Sequence, residues 1–403
     1  MHHELNEKAK SALDKKASIG QDIDINQFQS SDSHHEYVND LSRLPYEDAN
    51  KLLNVGVDIK PNSISTFIQK DHSIIHCHSK QEGVEMISIK DAMTQYDWLQ
   101  DYVWKNVAVD TDKYTARVHL NEYEGYFIRT MPGVKMDAPL QSCLYISKEK
   151  FAQHVHNLVI AEPDSELKII TGCATAPHLN SGLHIGVSEF YVKKGAKLIY
   201  TMIHDWGKQV DVRPRTVVHV EEGGVYISNY ISLKPVGSLQ MYPSVYLDGP
   251  GARARLNSVI VAGEGSHLDI GSRVFLNAEK TRAEIISRGI TLGGTIIARG
   301  NLIGKVAGVR AHLECKGLLL KNGLMHAIPE IEGYVPGVEL SHEAAVGKIN
   351  PEEIEYLMAR GMDEETAIST IVRGFLNVDI EGLPAHLQQQ IDKAISEADK
   401  DMI

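Results

Sequence analysis

Three short stretches decide the fold: 190-FYVKKGAKLIY-200, 218-VHVEEGGVYIS-228 and 245-VYLDGPGARARL-256. In each, a run of β-branched and aromatic residues breaks at a polar turn, and a second run of the same kind follows a glycine. The glycines are Gly195, Gly223 and Gly251, and the two intervals between them are equal. A fourth stretch, 273-RVFLNAEKTRAEI-285, comes a similar distance on without the glycine. A period in the high twenties, made of strands and tight turns with no helical spacing, predicts the stacked coils of a β-solenoid. Neighbouring strands would then lie ~4.8 Å apart along the stack. The competing arrangement is a large antiparallel β-sandwich, which also gives short strands with turn glycines.

Working outward, the β-rich character spans residues 136–345. Residues 1–135 form an N-terminal region of helix, linker and mixed α+β pattern. There LNEKAKSALDKK and LPYEDANKLLNVG favour helix, and IKDAMTQYDWLQDYVWKN places Ala92, Tyr96, Leu99 and Val103 at helical spacing. Residues 346–403 return to helix. Asn350 before Pro351, with Glu353 following, is a helix start. Gly361 is a stop. Asp363 opens a second helix with an apolar stripe, and 383–401 supply a third stretch.

Composition excludes several function classes. Lys plus Arg total 41 against 53 Asp plus Glu, a formal charge of −12, whereas nucleic acid or an anionic membrane needs clustered cations. No uncharged apolar run approaches the ~18 residues of a membrane helix, and the polar, charged start is no signal peptide. The four cysteines, at 77, 143, 173 and 315, are widely spaced. That suits a reducing, cytoplasmic setting better than a disulfide framework. The stretch GNLIGKV is not a phosphate loop: Gly300 and Gly304 are one residue too close, and Val306 stands where Ser or Thr should ligate magnesium. Any nucleotide energy must come from another chain.

Two places invite chemistry. The step from Cys315 to His342 falls just short of one glycine interval, and Glu343 stands beside the histidine. On adjacent coils, a thiolate, an imidazole and a carboxylate suit iron or an iron–sulfur cluster. Equally, Cys315 can be a small core residue, with His342 and Glu343 capping the last coil. Cys173 sits in IITGCATAPHLN, a turn-like context that would suit an exposed, transferable thiol or a half-buried turn residue. His76, Cys77 and His78 cannot chelate together on a strand, because 77 points away from 76 and 78. His154 and His156 share a strand face that reads as solvated.

The segment SHEAAVGKINPEEIEYLMARGMDEETAISTIVRGF, supported by LHIGVSEFYVKKGAKLIYTMIHDWG and LLNVGVDIKPNSISTFIQKD, resembles the SufB/SufD family of iron–sulfur cluster assembly scaffolds. The resemblance covers roughly residues 50–380. It implies a mainly β protein with a right-handed parallel β-helix core between an N-terminal α/β region and C-terminal helices. It implies a non-enzymatic scaffold that builds a transient iron–sulfur cluster, served by a sulfur donor, apo acceptor proteins and a SufC-like ABC ATPase that uses the ATP. Residue by residue, it implies cluster assembly at Cys315, Glu343 as a carboxylate near it, and His342 at the functional histidine position of SufD. It also implies sulfur acceptance at Cys173, although CATAP carries one residue more than the usual motif. The chain reads Ser341-His342-Glu343 where SufB reads Glu-His-Glu and SufD reads Ser-His-Gly, and it keeps the SufB-type cysteine. One chain thus holds both halves of a heterodimer's ligand set, which predicts a homodimer. Met358, Gly361, Met362 and Ile371 are the expected ATPase-binding residues. Two other readings of a solenoid remain: a carbohydrate-acting β-helix enzyme, disfavoured by few aromatics and no paired carboxylates, and a cluster-free adaptor.

Overall fold

Seven backbone corners set the architecture. Asp164, Gly195, Gly223, Gly251, Lys280, Gly308 and Gly337 have φ of 59°, 66°, 64°, 73°, 61°, 78° and 83°. The corners bond to one another along the stack: Gly195 N–H donates to the Glu222 carbonyl (2.8 Å), Gly223 N–H to Pro250 (3.0 Å) and Gly251 N–H to Glu279 (2.9 Å). A Cβ at Gly223 or Gly251 would meet nothing within 4 Å. The requirement there is left-handed backbone, not space. Lys280 occupies the fifth corner, the one after Gly251, without glycine and at a strain of roughly 1 kcal/mol.

The computed structural model describes residues 2–30, 34–59, 65–121 and 123–376. Its ten-stranded sheet begins with a hairpin of β1 (Thr66–Lys70) and β2 (Ser73–His78). Eight parallel strands follow: β3 (Leu140–Ile146), β4 (Glu166–Thr175), β5 (Lys197–Asp205), β6 (Val225–Ser232), β7 (Arg253–Gly263), β8 (Arg282–Leu292), β9 (Arg310–Leu320) and β10 (Glu339–Gly347). Val225 faces Lys197 and Arg253, Arg282 faces Arg253 and Arg310, and Arg310 faces Glu339. Each coil step here therefore equals the glycine interval or exceeds it by a single residue. The second wall includes Ser181–Val192, His267–Leu276, Thr295–Gly304 and Leu324–Gly333. Parallel pairing throughout the coils decides against the sandwich. The protein is a β-helix of about eight turns with helices at its ends.

Alternation builds the core. On β8 and β9 the odd residues Ala283, Ile285, Ser287, Ala311, Leu313 and Cys315 are buried, while their even neighbours are at least partly exposed. Every second side chain therefore points into the lumen. Helix α1 (His2–Ser11), α2 (Tyr46–Asn54), α3 (Ile89–Gln95) and α4 (Lys113–Leu120) belong to the N-terminal region. After α3 the helical pattern continues only as a 3-10 turn, Asp97–Asp101. That region is fastened by Glu189, whose fully buried carboxylate accepts backbone N–H groups of Trp104 (2.6 Å), Asn106 (2.7 Å) and Val107 (3.0 Å) and bonds His156 Nε2 (2.8 Å). His154 and His156 are thus buried, not solvated.

At the other end, Asn350 caps α5 (Pro351–Met358) by accepting the Glu352 N–H, and Asp363 accepts the Thr366 N–H at the start of α6 (Glu364–Leu376). Helix α6 buries Ala367, Val372 and Leu376, the last two within the solenoid's apolar cluster. No residue of α5 is buried. The helical stretch expected at 383–401 lies outside the described residues.

Candidate functional site

Cys315 lies on β9, one coil inside the end of the solenoid. Its side chain is fully buried and stacked between Ser287 on β8 and Ala344 on β10. The last coil step takes the extra residue, so His342 falls opposite Leu313, two positions short of Cys315. In-register partners share a face, so His342 is on the lumen-side face with Leu313 and Cys315, as a diagonal neighbour. Burial, then the Glu314 charge, pushes the Cys315 thiol up to about 11, with Arg288 working the other way.

Glu343 is not on that face. It pairs directly with Glu314, whose face also carries His312 and Lys316. The structure therefore brings Cys315 and His342 together and sets Glu343 on the outer side of the same wall. There Lys316 Nζ lies 3.2 Å from Glu343 and 3.3 Å from Glu314, and Arg288 pairs with Glu314. His312 Nδ1 meets Ser341 Oγ at 2.9 Å. No motif singles out His312, Glu314 and Lys316. Their signal is the alternation His-x-Glu-x-Lys, repeated one coil later as Ser-x-Glu.

Cys173 departs most from expectation. It is in strand β4, not in a turn, and is fully buried. The turn comes later, at Pro177-His178. A Cβ on the preceding Gly172 would sit 2.4 Å from Val55 Cγ2, just beyond α2. The outer side of the wall is therefore packed at this point, and Cys173, pointing the other way, faces the lumen. His204 stands opposite it on β5, and the Tyr230 hydroxyl bonds His204 Nδ1 at 2.8 Å. Trp206 packs against both the His184 and His204 rings. Burial depresses the His184 imidazole to about 3, and burial with His184 nearby lowers His204 well below its usual value. Burial, then Cys143, raises the Cys173 thiol well above its ordinary range. All are neutral at physiological pH. Following the register from β4 to β9, the Cys173 position reaches Gly317, two residues past Cys315. Five coil steps of ~4.8 Å separate the two thiols by roughly 24 Å.

The last coil is open. Strand β10 pairs only with β9, and Leu324–Gly333 only with Thr295–Gly304, among the described residues. Leu324, Ile331, Tyr334, Val335 and Val346 are large exposed apolar side chains on this one coil. Of the expected ATPase contacts, Met358 and Gly361 (φ 94°) are exposed, and Met362 and Ile371 are half-buried.

Residues 144–375 match the SufBD core domain of SUF-system FeS cluster assembly. The chain belongs to the SufBD family. It is 51% identical over 358 residues to an iron–sulfur cluster assembly SufBD family protein of Archaeoglobus fulgidus, covering 88% of this chain and 96% of that one. A SufBD protein of Methanothermobacter thermautotrophicus (strain Winter) is 47% identical over 98% of both chains. The iron–sulfur cluster assembly protein SufB of Bacillus subtilis is 32% identical over 338 residues, 81% of this chain and 72% of that one. Among the described residues of this SufBD chain, no helix is long and apolar enough to cross a membrane.

Proposed function

We propose that this SufBD chain is a non-enzymatic scaffold that accepts sulfur and assembles an iron–sulfur cluster at the interface of a homodimer, in the cytoplasm and with an ABC-type ATPase partner. The observation that carries the reading is the position of Cys315 and His342, on one face at the open end of the solenoid. A strand edge with exposed apolar side chains calls for a cover, and a second copy would supply it symmetrically. The thiol of one subunit would then meet the imidazole of the other. Iron and sulfide are the cargo here, with apo acceptor proteins as recipients. Ionising a thiol held at about 11 is a task for iron itself, which displaces the proton as it binds.

Cys173 is the proposed sulfur acceptor, with transfer along the lumen to Cys315. Because that thiol is enclosed, acceptance requires the wall near α2 to open. Helix α5, which buries none of its residues, is the proposed ATPase dock. Met358→Asp should weaken capture of the ATPase and leave the scaffold folded.

Anaerobic reconstitution tests the central claim. Cys315→Ala should lose bound iron and sulfide while keeping its circular dichroism and oligomeric state. Unchanged iron and sulfide in that variant would refute the assignment to Cys315, and a parent chain that takes up neither would leave the cluster-free adaptor reading standing.

A further inference from the structure

The outer face of the last two coils carries a second arrangement of metal-ligating groups. His312 and Glu314 alternate on β9, and Ser341 and Glu343 stand directly opposite them on β10. The square has an imidazole and three oxygen-bearing side chains at its corners. One ligand atom each from His312, Glu314 and Glu343 lies within 4.8 Å of the others. Ligands ~2.0–2.2 Å from one ion lie roughly 3–4 Å apart, so small side-chain rotations close the set.

Two features argue for a cation here. Carboxylates placed directly opposite across a strand pair repel, so Glu314 and Glu343 form a stable pair only with positive charge between them. Lys316 Nζ now supplies it, reaching Glu314 at 3.3 Å and Glu343 at 3.2 Å. The second feature is the His312 ring. Its Nδ1 bonds Ser341 Oγ at 2.9 Å. With Nδ1–H donating, Nε2 carries the lone pair, and the ring is held in place, as metal-binding imidazoles commonly are by a partner on the other nitrogen.

We propose that His312, Glu314 and Glu343 form a divalent-cation site on the outside of the wall, separate from the lumen-side Cys315 face, and that Lys316 occupies it until a metal displaces the ammonium. One imidazole with two carboxylates suits a borderline divalent ion of the Fe2+ class and lacks the thiolate that a cluster ligand set needs. Naming Fe2+ as the natural ion rests on the assembly reading; the site itself does not. Its place, across one sheet from Cys315, makes it a holding position for incoming iron. Two positive side chains, Arg288 and Lys316, balance the two carboxylates, so the metal is held weakly enough to pass on.

The test uses Co2+ on the full-length protein in a Cys315→Ser background, which removes the thiol from the count. One Co2+ per chain should bind with a visible spectrum free of thiolate charge transfer. His312→Ala with Glu314→Gln should abolish that equivalent. Ser341→Ala should weaken it about tenfold, the usual effect of losing a ligand's supporting hydrogen bond. Lys316→Met should tighten it at least about tenfold, because an ammonium ~4 Å from a dication is repelled even in a water-like medium. Each variant is checked by circular dichroism and by its elution volume. Co2+ binding that is indifferent to His312 and Glu314, or unchanged or weakened by Lys316→Met, would overturn the proposal. Cluster loss in Cys315→Ala is read separately, so either idea can fail without the other.

Discussion

The Cys315 thiol gives a quantitative test of how the wall is built. Burial holds its pKa at about 11, against an ordinary 9.0, a cost of roughly 3 kcal/mol against ionisation. At neutral pH the thiolate is about a hundredfold scarcer than in an unfolded chain, since each unit is tenfold. Alkylation by iodoacetamide, followed by peptide mass mapping, reads this site by site. The Cys315 rate should climb about tenfold per pH unit through pH 10, where an ordinary thiol has begun to level off. The neighbours give the sign: Glu314 raises this pKa and Arg288 lowers it. Glu314→Gln should speed alkylation and Arg288→Met should slow it. The same shift acts on stability. Below pH 9 both folded and unfolded chains keep the proton and nothing changes. Between about 9 and 11 the unfolded thiol ionises while the folded one does not, so the fold loses stability as pH rises. A Cys315 that alkylates at the rate of the unfolded chain, or a Glu314→Gln variant that reacts more slowly, would refute this account.

Other outcomes follow from the packing. Lys280→Gly should raise stability by up to about 1 kcal/mol and Gly223→Ala should lower it by a similar amount, read by urea unfolding. Opposite signs would mean the corners do not govern the coil. Glu189→Ala leaves His156 and three backbone N–H groups without their buried partner and should cost about 3–5 kcal/mol. A loss below about 1 kcal/mol in the same assay, the range of an exposed pair, would show that the N-terminal region is held otherwise. Gly172→Ala, whose Cβ would come within 2.7 Å of both Val55 Cβ and its backbone oxygen, should destabilise by about 1–3 kcal/mol. A variant that melts like the parent would mean α2 is free to shift.

The coil period was legible because each corner needs a left-handed residue and glycine marks it. Gly195, Gly223 and Gly251 therefore measured the stack before any contact was known. The start signals at Asn350 and Asp363 were equally local, a side chain reaching its own helix. The site was less legible. An even repeat does not say which coils take an extra residue, and that single insertion decides that Ala344, not Glu343, faces Cys315. Cys173 reads as a turn residue because Gly172 precedes it and Pro177 is close by, yet Gly172 answers to a different demand. Its real constraint is Val55, far away in sequence. His154 and His156 alternate as on a wet strand, and only the distant cover over Glu189 makes them dry. Outward register also separates Glu343 from its sequence neighbour His342, as any strand does.

The corner-to-corner bonds have a mechanical consequence. Each coil is secured to the one before and the one after, so the stack behaves as a one-dimensional chain of nearest-neighbour links. An interior coil has two such links, and the last has one. Opening the last coil breaks a single interface, whereas exposing the wall at Cys173 requires parting coils held on both sides. Amide exchange should therefore grade along the stack, fastest on β10 and slowest near its middle. The end of the solenoid that bears Cys315 and His342 is the end that can fray and re-form while the rest stays folded.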